Sequence, residues 1–259
     1  RLVPDFLQAV DLILIEPSPP LRELQAKILA DSDVHPRWVT SLDRIETDAP
    51  VILIANEVLD CMPARQFVKT EDGWAERRIG VSDDGDLLFG LVAISGGFKR
   101  PDFEMEPGQT LEISDQQAAF GRDLARLVGV ATGVALLIDY GRARPEAGDT
   151  LQALYRHNKV DPLARPGEAD LTQWADFPTV LEAAVHAGAD VTGCRNQGDF
   201  LSRLGIEARA ERLMAARPDA APVIQRQLQR LTGSDQMGTL FKAAAIFSPR
   251  SLVVPGFED

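Results

Sequence analysis

Three runs of apolar residues, each long enough for a strand, end in a carboxylate. They are DLILIE (11–16), VILIANE (51–57) and VALLIDYG (134–141). Continuous apolar runs bounded by turn residues are the pattern of strands covered on both faces, as in a parallel sheet. The first run predicts a buried strand ending at Glu16. Ser18 then stands as a helix cap with Pro19 at the first helical position, and Leu21, Leu24 and Ile28 repeat at helical spacing. Trp38 and Val39 mark a short strand before VILIAN (51–56).

From Arg65 to Leu91 the pattern shortens to QFVK, WAERRIGV and LLFGL, separated by TEDG and SDDGD. Those separators are turn chemistry and predict an antiparallel meander inserted into the α/β scheme. A loose Gly/Pro segment follows. Ser114 and Gln117 then form a capping box, and Phe120, Leu124, Leu127 and Val128 form one stripe of the helix leading into 134–141. The polar segment 142–178 is too long for an ordinary loop and reads as functional or partly structured. A helix over 179–188 closed by Gly188, a strand at DVTGC, short helices near 199–204, 207–216 and 222–231, and a strand at TLFKAAAIF (239–247) complete the chain.

Composition narrows the classes. With 45% hydrophobic and 25% charged residues the chain is an ordinary globular one. Its apolar runs are all shorter than the ~18 residues of a membrane span. A net charge of -12 argues against a nucleic-acid partner, which calls for clustered Lys and Arg. An acidic surface suits a cationic substrate, or serves only to solubilise. Cys61 and Cys194, with His35, His157 and His186 scattered between and around them, supply no metal-site spacing and read as reduced thiols. The first residues, RLVPDFLQAV, carry no signal-peptide pattern. The chain has no Walker loop, G-x-S-x-G elbow, H-E-x-x-H or G-x-G-x-x-G.

Candidate chemistry therefore sits at the strand ends, where doubly wound sheets bind ligands. Glu16 suits the hydroxyls of a nucleotide-type ribose or is simply a solvated strand end. Glu57 and Asp60 lie three apart and share a face if the chain turns helically there. Two such carboxylates suit a guanidinium or a shared proton; alternatively one pairs with Arg65 or caps a turn. Asp139 closes the third strand, and His157, in YRHNKVDP, is a candidate base or a structural histidine.

The ordered motifs ANEVLDCMPARQF, LLIDYG, GDTLQAL, DPLARPGEADLT, NQGDFLSRLGI and MGTLFKAAAIFSP resemble the MidA family, from about Leu12 to Phe257. These are S-adenosylmethionine-dependent methyltransferases that include a complex I assembly factor of arginine methyltransferase type. The resemblance implies an α/β fold of class I: a Rossmann-like sheet with helices on both faces, an antiparallel insert and a C-terminal antiparallel strand pair. It implies one methyltransferase domain over 1–259, with inserts at about 65–107 and 142–178. A first strand and Gly-rich loop would precede Arg1, so the chain reads as a fragment of a longer protein.

The resemblance also implies roles. S-adenosylmethionine is the cofactor, with Glu16 on its ribose and Asn56 beside it. Glu57 and Asp60 are the catalytic acids gripping an acceptor arginine by analogy with other arginine methyltransferases. Asp139, Tyr140 and His157 are assigned to substrate binding. The expected partner is a protein, a complex I subunit or similar, in a bacterial cytoplasm or a mitochondrial matrix. A non-catalytic assembly module retaining the fold, or a methyltransferase for a small molecule, are the competing readings.

Overall fold

The computed structural model describes residues 5–32 and 34–258, except the side chain of Leu7, and the chain divides into two compact units that meet in sequence between Pro50 and Val51. The opening Arg1 to Pro4, included in the expectation about a signal peptide, lie outside the described residues. The first unit holds a short helix α1 (Phe6–Ala9), strand β1 (Ile13–Ile15), helix α2 (Pro19–Leu29) and strand β2 (Arg37–Val39). β1 and β2 pair in parallel, Ile13 against Arg37 and Ile15 against Val39. This is the expected strand, helix, strand order. The helical stripe, however, faces outward: Leu21, Leu24 and Ile28 are exposed, Ile28 by 70%. Ser18 precedes α2 as expected, but its side chain makes no capping bond; its backbone N–H donates to Glu16 Oε1 instead.

The second unit opens with β3 (Val51–Asn56), which runs parallel to the long strand β8 (Gly133–Arg142). Between them in sequence come β4 (Arg65–Thr70), β5 (Gly73–Val81), β6 (Leu87–Ile94), β7 (Thr110–Ile113) and helix α3 (Asp115–Ala131). The meander forms the order β6-β5-β4-β7, all antiparallel neighbours. Its fourth strand, β7, was hidden in sequence because TLEI directly abuts the α3 cap. Half of the predicted capping box forms, Ser114 Oγ accepting from the Gln117 N–H at 3.1 Å, while the Gln117 side chain bonds to Leu59 and Asp176 instead of reaching back to Ser114. The buried stripe of α3 is rotated from the expected one, to Gln117, Gly121, Leu124, Val128 and Ala131.

After β8 the polar segment is structured. β9 (Gln152–Tyr155), β10 (Asn158–Val160) and β11 (Asp170–Thr172) form a small antiparallel sheet, and β12 (Ala175–Asp176) pairs in parallel with the end of β8. Helix α4 (Phe177–His186), strands β13 (Asp190–Val191) and β14 (Arg195–Asn196), helices α5 (Gln197–Arg203), α6 (Ile206–Ala216), α7 (Ala221–Thr232) and α8 (Met237–Leu240), and strand β15 (Phe241–Ser248) follow. β15 runs antiparallel to β8 along eight paired positions, from Phe241 opposite Tyr140 to Ser248 opposite Gly133. β13 and β14 pair antiparallel with β15. The unit is thus an α/β structure on a mixed sheet, with β15 as the reversed strand.

The core lies where β8 and β15 meet α3 and α4: Ala135, Leu137, Ala243, Ala244, Ala245, Ile246, Leu124, Val128, Phe177 and Val180 are buried. β3 was expected to be covered on both faces and is not. Among the described residues it pairs only with β8, and Ile52 and Ile54 on one face are 67% and 68% exposed. No helix among the described residues is long and apolar enough to cross a membrane.

The α3 and α4 contact depends on a close backbone approach. A Cβ at Gly121 would lie 2.3 Å from the carbonyl oxygen of Val180. Overpacking of this kind costs about 1–3 kcal/mol. Gly121→Ala is therefore expected to lower the unfolding free energy by that amount, read as a lower urea midpoint at unchanged m-value, while Gly129→Ala, where a Cβ meets nothing within 4 Å, leaves the midpoint unchanged or slightly raised.

Candidate functional site

The chain leaves β3 at Asn56 and turns sharply. Glu57 has φ of 53°, a left-handed conformation that costs a non-glycine residue free energy and that its surroundings must enforce. The enforcing group is Asp139 on β8, whose side chain is only 1% exposed. Its Oδ2 accepts hydrogen bonds from the backbone N–H of Val58 (3.1 Å), Leu59 (2.9 Å) and Asp60 (3.2 Å), and its Oδ1 accepts from the N–H of Tyr140 (2.8 Å). The Glu57 N–H donates to the Ile138 carbonyl at 2.9 Å, which extends the β3 to β8 ladder by one residue. Asp139 is thus a holder of the 57–60 turn, and its carboxylate faces backbone rather than a ligand.

Three more polar side chains secure the same turn. Buried Gln117 donates to the Leu59 carbonyl at 2.9 Å and accepts from the Asp176 N–H at 2.7 Å. Gln173 donates through its amide to the Met62 carbonyl, and its backbone N–H to the Asp60 carbonyl at 3.0 Å. Ser114 donates to the Pro63 carbonyl at 2.8 Å while capping α3. None of the three stood out in sequence as a site residue; the only signal was polar residues at buried positions beside predicted elements.

The turn separates the two acids that were expected to share a helical face. Glu57 is exposed and accepts from the Asn56 side-chain amide at 3.2 Å. Asp60 is buried, and its Oδ2 accepts from the Tyr140 hydroxyl at 2.6 Å. The left-handed residue between strand and turn, not a helix, sets this arrangement. Arg65 claims neither acid. It sits one cross-strand diagonal from Glu76, since Gln66 pairs with Arg77 and Phe67 with Glu76, and it donates to Glu76 at 2.7 Å. Glu76, hydrogen-bonded by Arg65 first and Arg78 second, is held at a pKa of about 2.

The remaining predicted residues lie apart. His157 is exposed at the tip of the β9 to β10 hairpin, next to Arg156, both with positive φ as a two-residue turn of this kind requires. No hydrogen bond or ion pair among the described residues joins it to Glu57, Asp60 or Asp139. Glu16 belongs to the first unit. Its Oε1 accepts from Ser18 N–H at 2.9 Å and its Oε2 from Gln25 at 3.2 Å, while Gln25 in turn accepts from the Trp38 indole at 2.8 Å. Each carboxylate oxygen so held keeps a lone pair for a further donor, which fits a pair of vicinal hydroxyls. No group of three or more His, Cys, Asp or Glu suited to a metal ion occurs among the described residues.

Beyond Tyr140 the end of β8 opens into a cleft of about 980 Å³ floored by Gly141, Arg142, Trp174 and Lys242. Buried Arg142 donates to Glu112 at 2.7 Å and to the Glu146 carbonyl at 2.8 Å. Glu112 also accepts from Gln66 and from the backbone N–H and hydroxyl of Thr150. Sequence reading missed this network because its members are spread over three strands and the loop after β8.

The comparisons with known proteins agree with this architecture. Residues 1–195 match a family described as "Putative S-adenosyl-L-methionine-dependent methyltransferase". A Caenorhabditis elegans relative, "Protein arginine methyltransferase NDUFAF7 homolog, mitochondrial", is 34% identical over 83% of this chain and 51% of its own length. The Xenopus tropicalis protein "Protein arginine methyltransferase NDUFAF7, mitochondrial" is 30% identical over 90% of this chain and 59% of its own. The chain thus spans roughly half to three-fifths of the length of these curated relatives. Among solved structures, a Burkholderia thailandensis protein crystallised with S-adenosyl-homocysteine superposes with a TM-score of 0.77 at 28% identity, covering 96% of this chain and 65% of that one.

Burial first, and the charge of Asp60 second, push the Asp139 pKa up to about 7, against the pull of the backbone N–H bonds. A carboxyl whose folded pKa lies above its unfolded value stabilises fully below the unfolded value, near 4, and loses that contribution as pH rises through about 7. Thermal melts from pH 4 to 8 should show a decline in stability that is flatter in Asp139→Asn; equal slopes would place the titrating group elsewhere. Asp139→Ala, which leaves buried N–H groups without their acceptor, should cost at least about 3 kcal/mol by urea denaturation.

Proposed function

We propose that this chain, which belongs to the S-adenosyl-L-methionine-dependent methyltransferase family whose model it matches, acts as a methyltransferase on an arginine of a partner protein, with Glu57 receiving the acceptor guanidinium. One observation carries the reading. The turn after β3 is tied to β8, β12 and α3 by Asp139, Gln173, Gln117 and Ser114, and yet the one carboxylate it presents outward, Glu57, has no ion-pair partner among the described residues. A rigid turn with an uncommitted acid suits a cationic ligand. Relatives named as arginine methyltransferases support a guanidinium as that cation.

The cofactor supplies an activated methyl group on a sulfonium centre. The chain's own residues orient and polarise. A carboxylate accepts two parallel N–H bonds from a guanidinium, which fixes its plane and draws positive charge toward those two nitrogens. The third nitrogen is then the one left electron-rich enough to accept a methyl group, and alignment is the main contribution the protein makes. Asn56, donating to Glu57, holds the carboxylate's direction. Asp60 is read as a positioning residue: it accepts from the Tyr140 hydroxyl and so fixes that ring, which packs edge-on against Phe241 at 5.5 Å. Burial first and the Asp60 hydrogen bond second raise the Tyr140 pKa, so the phenol stays neutral and keeps its proton for the bond to Asp60. Glu16 is assigned to the cofactor ribose on the strength of its free lone pairs.

The acceptor protein is assigned, from the resemblance of the motifs, to respiratory complex I. Cys61 and Cys194 are both free thiols, in keeping with a reducing compartment such as a bacterial cytoplasm.

Two measurements on the full-length protein test this. Calorimetry with S-adenosylmethionine is expected to show binding, and radiolabelled methyl transfer into cell extract is expected to mark a protein band. No cofactor binding would leave the non-catalytic module as the reading; binding with label only in small molecules would point to a different acceptor. Glu57→Gln should lower transfer by at least about a hundred-fold while cofactor affinity changes no more than a few-fold. Full activity in that variant would remove Glu57 from the mechanism.

A further inference from the structure

The cleft at the end of β8 has a charge that the chain as a whole does not predict. The net charge is -12, yet Arg142, Arg144, Arg230 and Lys242 line this one cleft against only Glu146 and Asp235. Two of the four cations are committed. Arg142 is buried against Glu112, and Lys242 donates to the carbonyls of Thr239 and Leu240. The other two, Arg144 and Arg230, are exposed and have no ion-pair partner among the described residues.

The backbone segments that carry these cations are tied down, while the Arg144 and Arg230 side chains themselves are exposed. Arg142 donates from its other terminal nitrogen to the Glu146 carbonyl at 2.8 Å, which fixes the rim segment carrying Arg144. Its Nε is buried and has no hydrogen-bond partner in the structure. Arg230 stands in the last turn of α7. Gly238 at the start of α8 approaches so closely that a Cβ there would lie 2.2 Å from the Thr232 carbonyl oxygen, so α7 and α8 are locked together at this wall. Trp174 is the one aromatic side chain among the described residues that line the cleft.

The position matters as much as the charge. Tyr140, whose hydroxyl meets Asp60, is directly followed on β8 by Gly141 and Arg142 of the cleft floor. An extended peptide advances about 3.3 Å per residue. A chain whose arginine is gripped at Glu57 therefore needs only a few residues to enter the cleft. An open cleft of about 980 Å³ is far larger than a small inorganic anion needs, and the two cations that line it without an ion-pair partner among the described residues, Arg144 and Arg230, are both exposed.

We infer that this cleft receives the segment of the acceptor protein next to the methylated arginine, and that it selects acidic side chains in that segment. The inference rests on the arginine methyltransferase reading for the identity of the ligand, and the site is bipolar: an anionic group for the acceptor, a cationic trough for its neighbours. Such complementarity adds specificity and association rate as well as affinity, and it is weakened by salt.

The test is fluorescence anisotropy with the full-length protein and three labelled decapeptides, each with one central arginine flanked by four aspartate/glutamate, four asparagine/glutamine or four lysine residues. Expected is tightest binding of the acidic peptide, about ten-fold over the amide peptide at 50 mM salt and shrinking at 300 mM. Arg144→Glu with Arg230→Glu should bring the acidic and amide peptides within two-fold of each other. Arg144→Gln with Arg230→Gln, which avoids placing an acid at a helix C-terminus, should lose most of the preference without a change in melting temperature. Equal binding of the three peptides by the wild type, no binding of any, or a preference that survives both double variants would overturn the inference. Because anisotropy requires no methyl transfer, a protein that prefers the acidic peptide but fails to bind S-adenosylmethionine would refute the enzymatic reading and leave the cleft's selectivity standing.

Discussion

The structure around the site depends on one carboxylate accepting four backbone N–H groups. Asp139 reaches from the interior of β8 to the residues just beyond β3, and through Oδ2 it satisfies the amides of three successive residues. Those amides would otherwise be buried donors with no ladder to join, because β3 has ended and no helix has begun. By giving them an acceptor, Asp139 lets the chain leave the sheet in a tight turn and lets Glu57 occupy a left-handed conformation. The cost is a charge taken out of water next to Asp60, and the raised pKa is the measure of that cost.

The second constraint is the buried Glu112 and Arg142 pair, which couples elements that share no strand pairing. Glu112 lies on β7 in the meander sheet, Arg142 ends β8 in the mixed sheet, and Thr150 lies in the polar segment just before β9. Asp149 adds a second link, accepting from Gln66 and Arg77 of the meander. Each buried ion is paired and hydrogen-bonded, as its desolvation demands, apart from the Arg142 Nε. The meander is therefore not an appendage: it helps to fix the end of β8 and, through Arg142, the rim of the cleft.

Much of this was legible where the signal is local. The apolar runs at 11–16, 51–56 and 134–141 became β1, β3 and β8, and turn residues at TEDG and SDDGD separated the meander strands as their chemistry requires. The Ser114 cap on the Gln117 N–H formed because both lie within one turn, while the Gln117 side chain was drawn to Leu59 and Asp176. The failures came from non-local causes. Short strands such as β7, β12 and β14 are defined by their partners rather than by their own residues. Arg65 lies close in sequence to Asp60 but is drawn away by the β4 to β5 register, which sets Glu76 beside it. The role of Asp139 was the hardest to read, since a strand-end acid that faces a ligand and one that faces backbone have the same sequence.

These findings rearrange the chemistry expected at the end of β3. Spacing suggested two equivalent acids on one face, and the structure makes them unequal. Glu57 is presented to solvent on a turn held from below. Asp60 is turned inward to a tyrosine hydroxyl, where its charge orients a ring. At the end of β8 the polarity then reverses within a few residues, from Asp139 and the acids 57 and 60 of the neighbouring turn to the guanidinium groups of Arg142 and, just past the strand, Arg144. On the proposed arginine reading, a strand end that is anionic on one side and cationic on the other would not treat all neighbours of the arginine alike, because moving a carboxylate from the trough toward Glu57 replaces an attraction by a repulsion. On that reading, charge order at this end of the sheet sets direction as well as affinity, which an isolated pair of acids could not do.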